Sequence, residues 1–251
     1  MFTVKKILGV YHLACLNHYM DVFCEQFDLL HSSGLYKRCN KFLIYVSLYD
    51  DNLILDRKLK EYDPDSKFLV FKTRDNLKEK FAFDDFRNHI EDEIYMFYFH
   101  SKSVSYQPTG EMYCQFQNKQ NWRKVLDFYT IEKWRINLEF IEKYDAVGCF
   151  LTKMPVHHFA GNFWWAKINY VKNLPNCGDH YLSPEMFLGE HFNNNFISLT
   201  IEKREQFNFH SRMTDEDILK NITSTILINN MEKMHKNFTK KRTLLQKTIN
   251  S

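Results

Sequence analysis

Four short apolar runs, separated by stretches of helical period, govern what the first hundred residues can build. They are 7–14 (ILGVYHLA), 41–48 (KFLIYVSL), 67–71 (KFLVF) and 94–100 (IYMFYFH), the last being the most hydrophobic run of the chain. Each has strand length and is bounded by polar or turn-forming residues. Between the first two, 17–33 places Met20, Phe23, Phe27 and Leu30 on one stripe, and Gly34 ends that helix. The charged stretch 75–91, with Phe at intervals, reads as another helix. Strands alternating with helices predict an α/β architecture: a mostly parallel central sheet with helices on both faces.

The pattern is less regular further on. Residues 103–120, with Pro108 and Gly110, read as a loop or lid. The stretch 121–143 reads as one long helix, because Trp122, Leu126, Tyr129, Trp134, Leu138 and Ile141 recur near the 3.6 period. A strand is expected at 145–151, a short helix or turn at 168–174, a helix start at Pro184 and an amphipathic strand near 196–201. A helix from about Asp215 closes the chain. The division expected is a main domain over 1–210 and a C-terminal helical extension over 211–251.

Charge excludes one class of function. With 34 basic and 31 acidic residues the net charge is +3, too balanced for a nucleic-acid binder. The basic cluster after Lys233 (KMHKNFTKKR) reads as a solvated helical face, with weak peripheral membrane contact as the alternative. Six scattered cysteines without a CxxC pair fit a reducing compartment, and the expected location is the cytoplasm, or the host cytoplasm if the protein is viral. No run reaches the ~20 apolar residues that span a bilayer. GxGxxG, GxxxxGK, GxSxG and HExxH are all absent. Oligomeric state leaves no mark in the sequence.

Chemistry-bearing residues gather at predicted strand ends and in one motif. The motif is HHFAGNFWWAKINY, residues 157–170, with His158, Gly161, Asn162, Trp164 and Trp165 in a chain holding only 7 Gly and 4 Trp. Glycine lets backbone approach closely, indoles offer stacking faces, and Asn and His direct hydrogen bonds. The set suits a sugar or nucleotide pocket, or an aromatic core cluster after a tight turn. Tyr11 and His12 near the end of the first strand suit contact with a nucleobase, or ordinary packing. His100, Ser101 and Lys102 follow the fourth strand, where Lys102 is placed to neutralise a phosphate and Ser101 to donate to its oxygens. Asp50 and Asp51 close the second strand. Glu185, with Asp179 as second choice, is the candidate to take a proton from an acceptor hydroxyl; each also suits a helix start.

Taken in order, VYHLA (10–14), EQFDLLHSSGLY (25–36), YFHSKSVS (98–105), the Trp122–Trp134 helix, YDAVGCFL (144–151), HFAGNFWWAKINYVKNLP (158–175) and YLSPEMFLGE (181–190) resemble GT-A-like glycosyltransferases of bacterial polysaccharide clusters and large DNA viruses. The resemblance covers roughly residues 5–190. It implies a Rossmann-like GT-A fold and transfer of a hexose or deoxyhexose from a nucleoside-diphosphate sugar to a glycan hydroxyl. The donor would meet Tyr11, His12, Asp51, His100, Ser101, Lys102, His158, Gly161 and Asn162, and Trp164 and Trp165 would form a sugar platform. His100-Ser101-Lys102 stands where such enzymes carry an acidic Asp-x-Asp metal motif. Either Lys102 and His100 neutralise the leaving diphosphate without metal, or Mn or Mg is held elsewhere, as by Asp50 or Asp51. Relatives often have glycine where this chain has Ser103. A catalytically silent nucleotide- or carbohydrate-binding module is the alternative.

Overall fold

β1 (Ile7–Ala14) is buried along nearly its whole length because it lies inside the sheet, with strands on both sides. β2 (Lys41–Ser47) pairs with it in parallel on one side, and β3 (Phe68–Lys72) adds in parallel beyond β2. On the other side of β1 lies β4 (Tyr95–His100), also parallel, in a register that sets His12 opposite His100. The computed structural model describes residues 6–107, 113–190 and 194–200. The late strands extend the sheet past β4. They are β5 (Ala146–Gly148), the two-residue pair β6 (Leu151–Thr152) and β7 (His158–Phe159), then β8 (Trp164–Lys167) and β9 (Phe196–Ser198). The seven-stranded order is β3-β2-β1-β4-β8-β5-β9, with β8 antiparallel to both neighbours, while β6 and β7 form a separate hairpin.

The two-residue alternation of the strands divides the core into two layers. Ile7, Tyr11, Phe97 and Phe99 face one side, against α1 (Tyr19–Ser32), α2 (Leu35–Arg38) and α3 (Leu53–Glu61). Leu8, Val10, Met96 and Tyr98 face the other, against α4 (Lys80–Asp85). α5 (Tyr113–Asp127) and α6 (Trp134–Ile141) join the first layer, and α7 (Ile168–Lys172) the second; α8 (Ser183–Met186) carries Pro184 in its first turn, as expected. The mostly parallel α/β sheet flanked by helices, a Rossmann-like fold, is what the chain forms.

Three expectations change. The stretch 103–120 is not all loop, since α5 begins at Tyr113. The single helix over 121–143 is interrupted by a π-turn at Phe128–Glu132. There the Asn137 amide donates to the Tyr129 carbonyl (2.6 Å) and the Trp165 indole to that of Thr130 (2.9 Å), so side chains take carbonyls that an unbroken ladder would use. The strand expected at 145–151 splits into β5 and β6, with Phe150 at a φ of +54° close to the break. The C-terminal helix, the 211–251 extension, its basic cluster, Pro108 and Gly110 lie outside the described residues.

Candidate functional site

The carboxyl ends of β1 and β4 are stitched together before any functional side chain is placed. The Ser101 N–H donates to the His12 carbonyl and the Ala14 N–H to Ser101 Oγ, both at 3.0 Å. The Lys102 N–H donates to the His100 carbonyl at 2.7 Å, and Ser103 follows with a φ of +79°. That left-handed backbone is one that glycine adopts without strain and serine does not. Ser103 Oγ is buried with no hydrogen-bond partner among the described residues.

The turn before β8 reaches back to this point. His100 Nε2 donates to the Gly161 carbonyl (3.0 Å), and the Gly161 N–H donates to Glu185 Oε1 (2.8 Å), so β4, the turn and α8 meet. Gly161 has a φ of +94°, and a Cβ there would lie 2.6 Å from Leu126 and 3.0 Å from Trp122 on α5. Asn162 is left-handed too, at +59°. Its amide is fixed from both ends: Trp164 Nε1 donates to Oδ1 (2.8 Å), and Nδ2 donates to Glu79 Oε2 in a very short bond. Glu79 immediately precedes α4; Oε2 also accepts from the Tyr98 hydroxyl (3.2 Å), while Oε1 faces His100 Nδ1 at 3.6 Å. The Lys102 ammonium lies 3.9 Å from the Trp122 ring centroid, and the Lys119 ammonium 5.0 Å from the same ring.

Burial dominates the electrostatics. It pulls Lys102 down to about 8, opposed by Glu185 and Glu79. It lowers His12 to about 4 and His100 to about 3, Lys102 adding to the latter, so both imidazoles are neutral. Burial raises the Glu79 carboxyl above its usual range, against His12, Asn162 and Lys102.

The sequence-predicted residues divide into two groups. His12, His100, Ser101, Lys102, Gly161, Asn162 and Glu185 converge on this cluster, with His12 Nε2 2.9 Å from Ser47 Oγ at the end of β2. Six lie apart from it, save for the Trp164 bond to Asn162. Tyr11 is sealed in the core, its hydroxyl bonded to Gln26 at 2.9 Å, and has no free face for a nucleobase. Trp164 and Trp165 are 1% and 0% exposed and point into opposite core layers, Trp165 stacking on Phe97 at 4.7 Å; they are core, not an open sugar platform. Asp51 is exposed and bridged to Arg74. His158 is buried on β7 with Nδ1 2.9 Å from the Val156 carbonyl. Asp179 stands in solvent, 3.5 Å from Lys80. Glu79, Lys119 and Trp122 enter from segments where the sequence offered only charge or helical period. A separate groove of about 280 Å³, lined by His18, Glu25, Gln120 and Lys124 among others, holds none of these residues.

A divalent ion does not fit the β4 end. Both ring nitrogens of His100 are engaged or faced, Lys102 is a cation, and Asp51 is held by Arg74. Among the described residues no group of three or more His, Cys, Asp or Glu side chains is placed to hold a metal.

A family model described as a domain of unknown function, DUF8361, matches residues 17–216, most of the chain and all of this cluster except His12. The protein belongs to this family. No curated protein matches the DUF8361 chain in sequence. Among solved structures it is similar to a mannosyltransferase, PcManGT, from Pyrobaculum calidifontis in complex with GDP-Man and Mn2+ (10% identity, TM-score 0.45), over 77% of this chain and 54% of that one. It therefore spans little more than half of that enzyme's length. HddC from Yersinia pseudotuberculosis is similar over 76% of this chain and 88% of its own (10% identity, TM-score 0.45). The 4-diphosphocytidyl-2C-methyl-D-erythritol synthase of Anaerococcus prevotii is similar over 87% and 97% (9% identity, TM-score 0.39). At such identities and TM-scores none of them says what this chain does.

Proposed function

We propose that the DUF8361 chain transfers a sugar from a nucleoside-diphosphate donor to the hydroxyl of a glycan. One observation carries the reading. A lysine ammonium, a buried Ser103 hydroxyl without a partner among the described residues and the Glu185 carboxylate bonded to the Gly161 turn meet at the carboxyl ends of β1 and β4. In sheets of this kind ligands gather where neighbouring strands' connections run to opposite sides, and β1 has β2 on one flank and β4 on the other. The ordered sequence resemblance to GT-A-like glycosyltransferases supports the same reading.

In this scheme the acceptor hydroxyl gives its proton to Glu185 as its oxygen bonds to the anomeric carbon of the donor sugar. The bond from that carbon to the diphosphate breaks, and its electron pair leaves with the diphosphate. Lys102 faces the developing charge, with Lys119 near the same indole. No step is assigned to a metal ion.

The test is release of nucleoside diphosphate from a panel of nucleotide sugars, with candidate glycans, by wild type and Glu185→Gln. Glutamine keeps an oxygen for the Gly161 N–H but cannot accept the proton. Turnover is expected to fall by about 10²–10⁴-fold while thermal stabilisation by the nucleotide persists. Undiminished turnover in the variant removes Glu185 from the role. Stabilisation of the wild type without turnover on any acceptor would instead assign a silent binding module.

A further inference from the structure

Glu79 and His100 face each other just beyond hydrogen-bond distance, an approach that a proton on either partner favours. His100 Nε2 lies 3.0 Å from the Gly161 carbonyl oxygen, which can only accept, so Nε2 carries the hydrogen. In the neutral ring Nδ1 is then a bare lone pair, yet it faces Glu79 Oε1 at 3.6 Å. Oε2 already accepts from the Tyr98 hydroxyl and the Asn162 amide, so the remaining proton position on Glu79 is Oε1. An ionised Glu79 would set two acceptors against each other in a largely buried place.

We propose that the pair formed by Glu79 and His100 holds a proton on Glu79, as the un-ionised acid, facing His100 as its Nε2–H tautomer, so that no second carboxylate charge stands in the cluster and it admits a diphosphate. The clause on the diphosphate rests on the transferase reading; the proton on Glu79 does not. Among the described residues, the ionisable groups around the pair have these places in the balance, with the Lys119 ammonium adding a further positive charge beyond Lys102. His12 on β1 is neutral, Lys102 is positive and Glu185 on α8 is negative. The Tyr98 hydroxyl on β4 and the Cys177 thiol before α8 are neutral, both raised by burial. Lys102 and Glu185 cancel, and a second carboxylate charge would repel the phosphates. Burial favours the same placement, raising Glu79 and lowering His100. As pH rises and Glu79 ionises, nucleoside diphosphate binding weakens; loss of the Lys102 charge near 8 weakens it again.

The ligand-free protein decides where the proton lies. Near neutral pH the infrared difference between wild type and Glu79→Gln is expected to contain the carbonyl stretch of one un-ionised carboxylic acid. Its absence overturns the proposal. Should Glu79→Gln fail to fold, nitrogen NMR of the wild type reads the ring directly. Protonation at Nε2 alone between about pH 5 and 8 supports the proposal, and protonation at both nitrogens overturns it. Titration with a nucleoside diphosphate then tests the consequence. Wild-type affinity is expected to fall about tenfold across the Glu79 limb, and Glu79→Gln to lack that limb while keeping the one from Lys102. An acid band with no nucleotide binding at any pH would sustain the proton on Glu79 and refute the transferase reading.

Discussion

On the proposed reading, Lys102 trades stability for a ligand. Its folded value near 8 lies below the 10.5 of an unperturbed lysine, so folding disfavours its charged form. That penalty is fully present below about 8 and fades as pH rises toward 10.5. Lys102→Met is therefore expected to stabilise the protein by about 1–2 kcal/mol near neutral pH and to abolish nucleoside diphosphate binding. Denaturant unfolding and a binding titration on the same variant check both. At Gly161 the expectation is opposite: alanine meets Leu126 at 2.6 Å in a left-handed backbone, costing about 1–3 kcal/mol by chemical denaturation. His100, Lys102 and Gly161 stood out in the sequence because polar residues directly follow an apolar strand or sit in a rare Gly-Asn turn, and Glu185 because it follows Pro184 close to that motif. Glu79 was not. It is one acid in a charged stretch, and only the return of β8 to the end of β4 gives it neighbours. The tandem Trp164-Trp165 misled for the converse reason, since a core pair and a stacking platform are spelled alike.

At the scale of elements, the site depends on how α1 and α5 are tied to the sheet. Arg123 of α5 is buried and bonded to Asp127 (2.8 Å) and to Glu25 of α1. Gln26 of α1 joins Asp127 (2.8 Å), the Tyr11 hydroxyl (2.9 Å) and the His100 carbonyl (3.2 Å). The network reaches from the helices to the strand end that presents Lys102. Asp127→Ala leaves Arg123 buried without its closest buried partner, and a loss of about 3–5 kcal/mol is expected in thermal or denaturant unfolding. Trp165→Ala distinguishes core from platform. As a core residue it should cost about 3–5 kcal/mol, whereas unchanged stability with weakened acceptor binding would restore the platform. The four strands of the first half and the apolar stripe of α1 were readable from periodicity, whereas α2 and α3 were not. The π-turn at Phe128–Glu132 was not, because the donors that take its carbonyls come from Asn137 and from Trp165 of a distant strand.

At the scale of the molecule, three parallel strands and a fourth across β1 deliver polar residues to one edge, while antiparallel β8 brings the Gly161 turn to that edge from the other direction. Alternating elements made the parallel half predictable; the reversal of β8 is set by pairings between residues some seventy positions apart, Tyr95 with Lys167 and Tyr98 with Trp164, which no local pattern encodes. The central claim is that this edge is a diphosphate site organised by Lys102. Calorimetric titration of wild type and Lys102→Ala with a nucleoside diphosphate, in the presence of a chelator, tests it most directly. The wild type is expected to bind without metal, and the variant to bind at least about tenfold more weakly, a difference of roughly 1.4 kcal/mol. Equal affinity in the two proteins, or no binding by the wild type, would contradict the account.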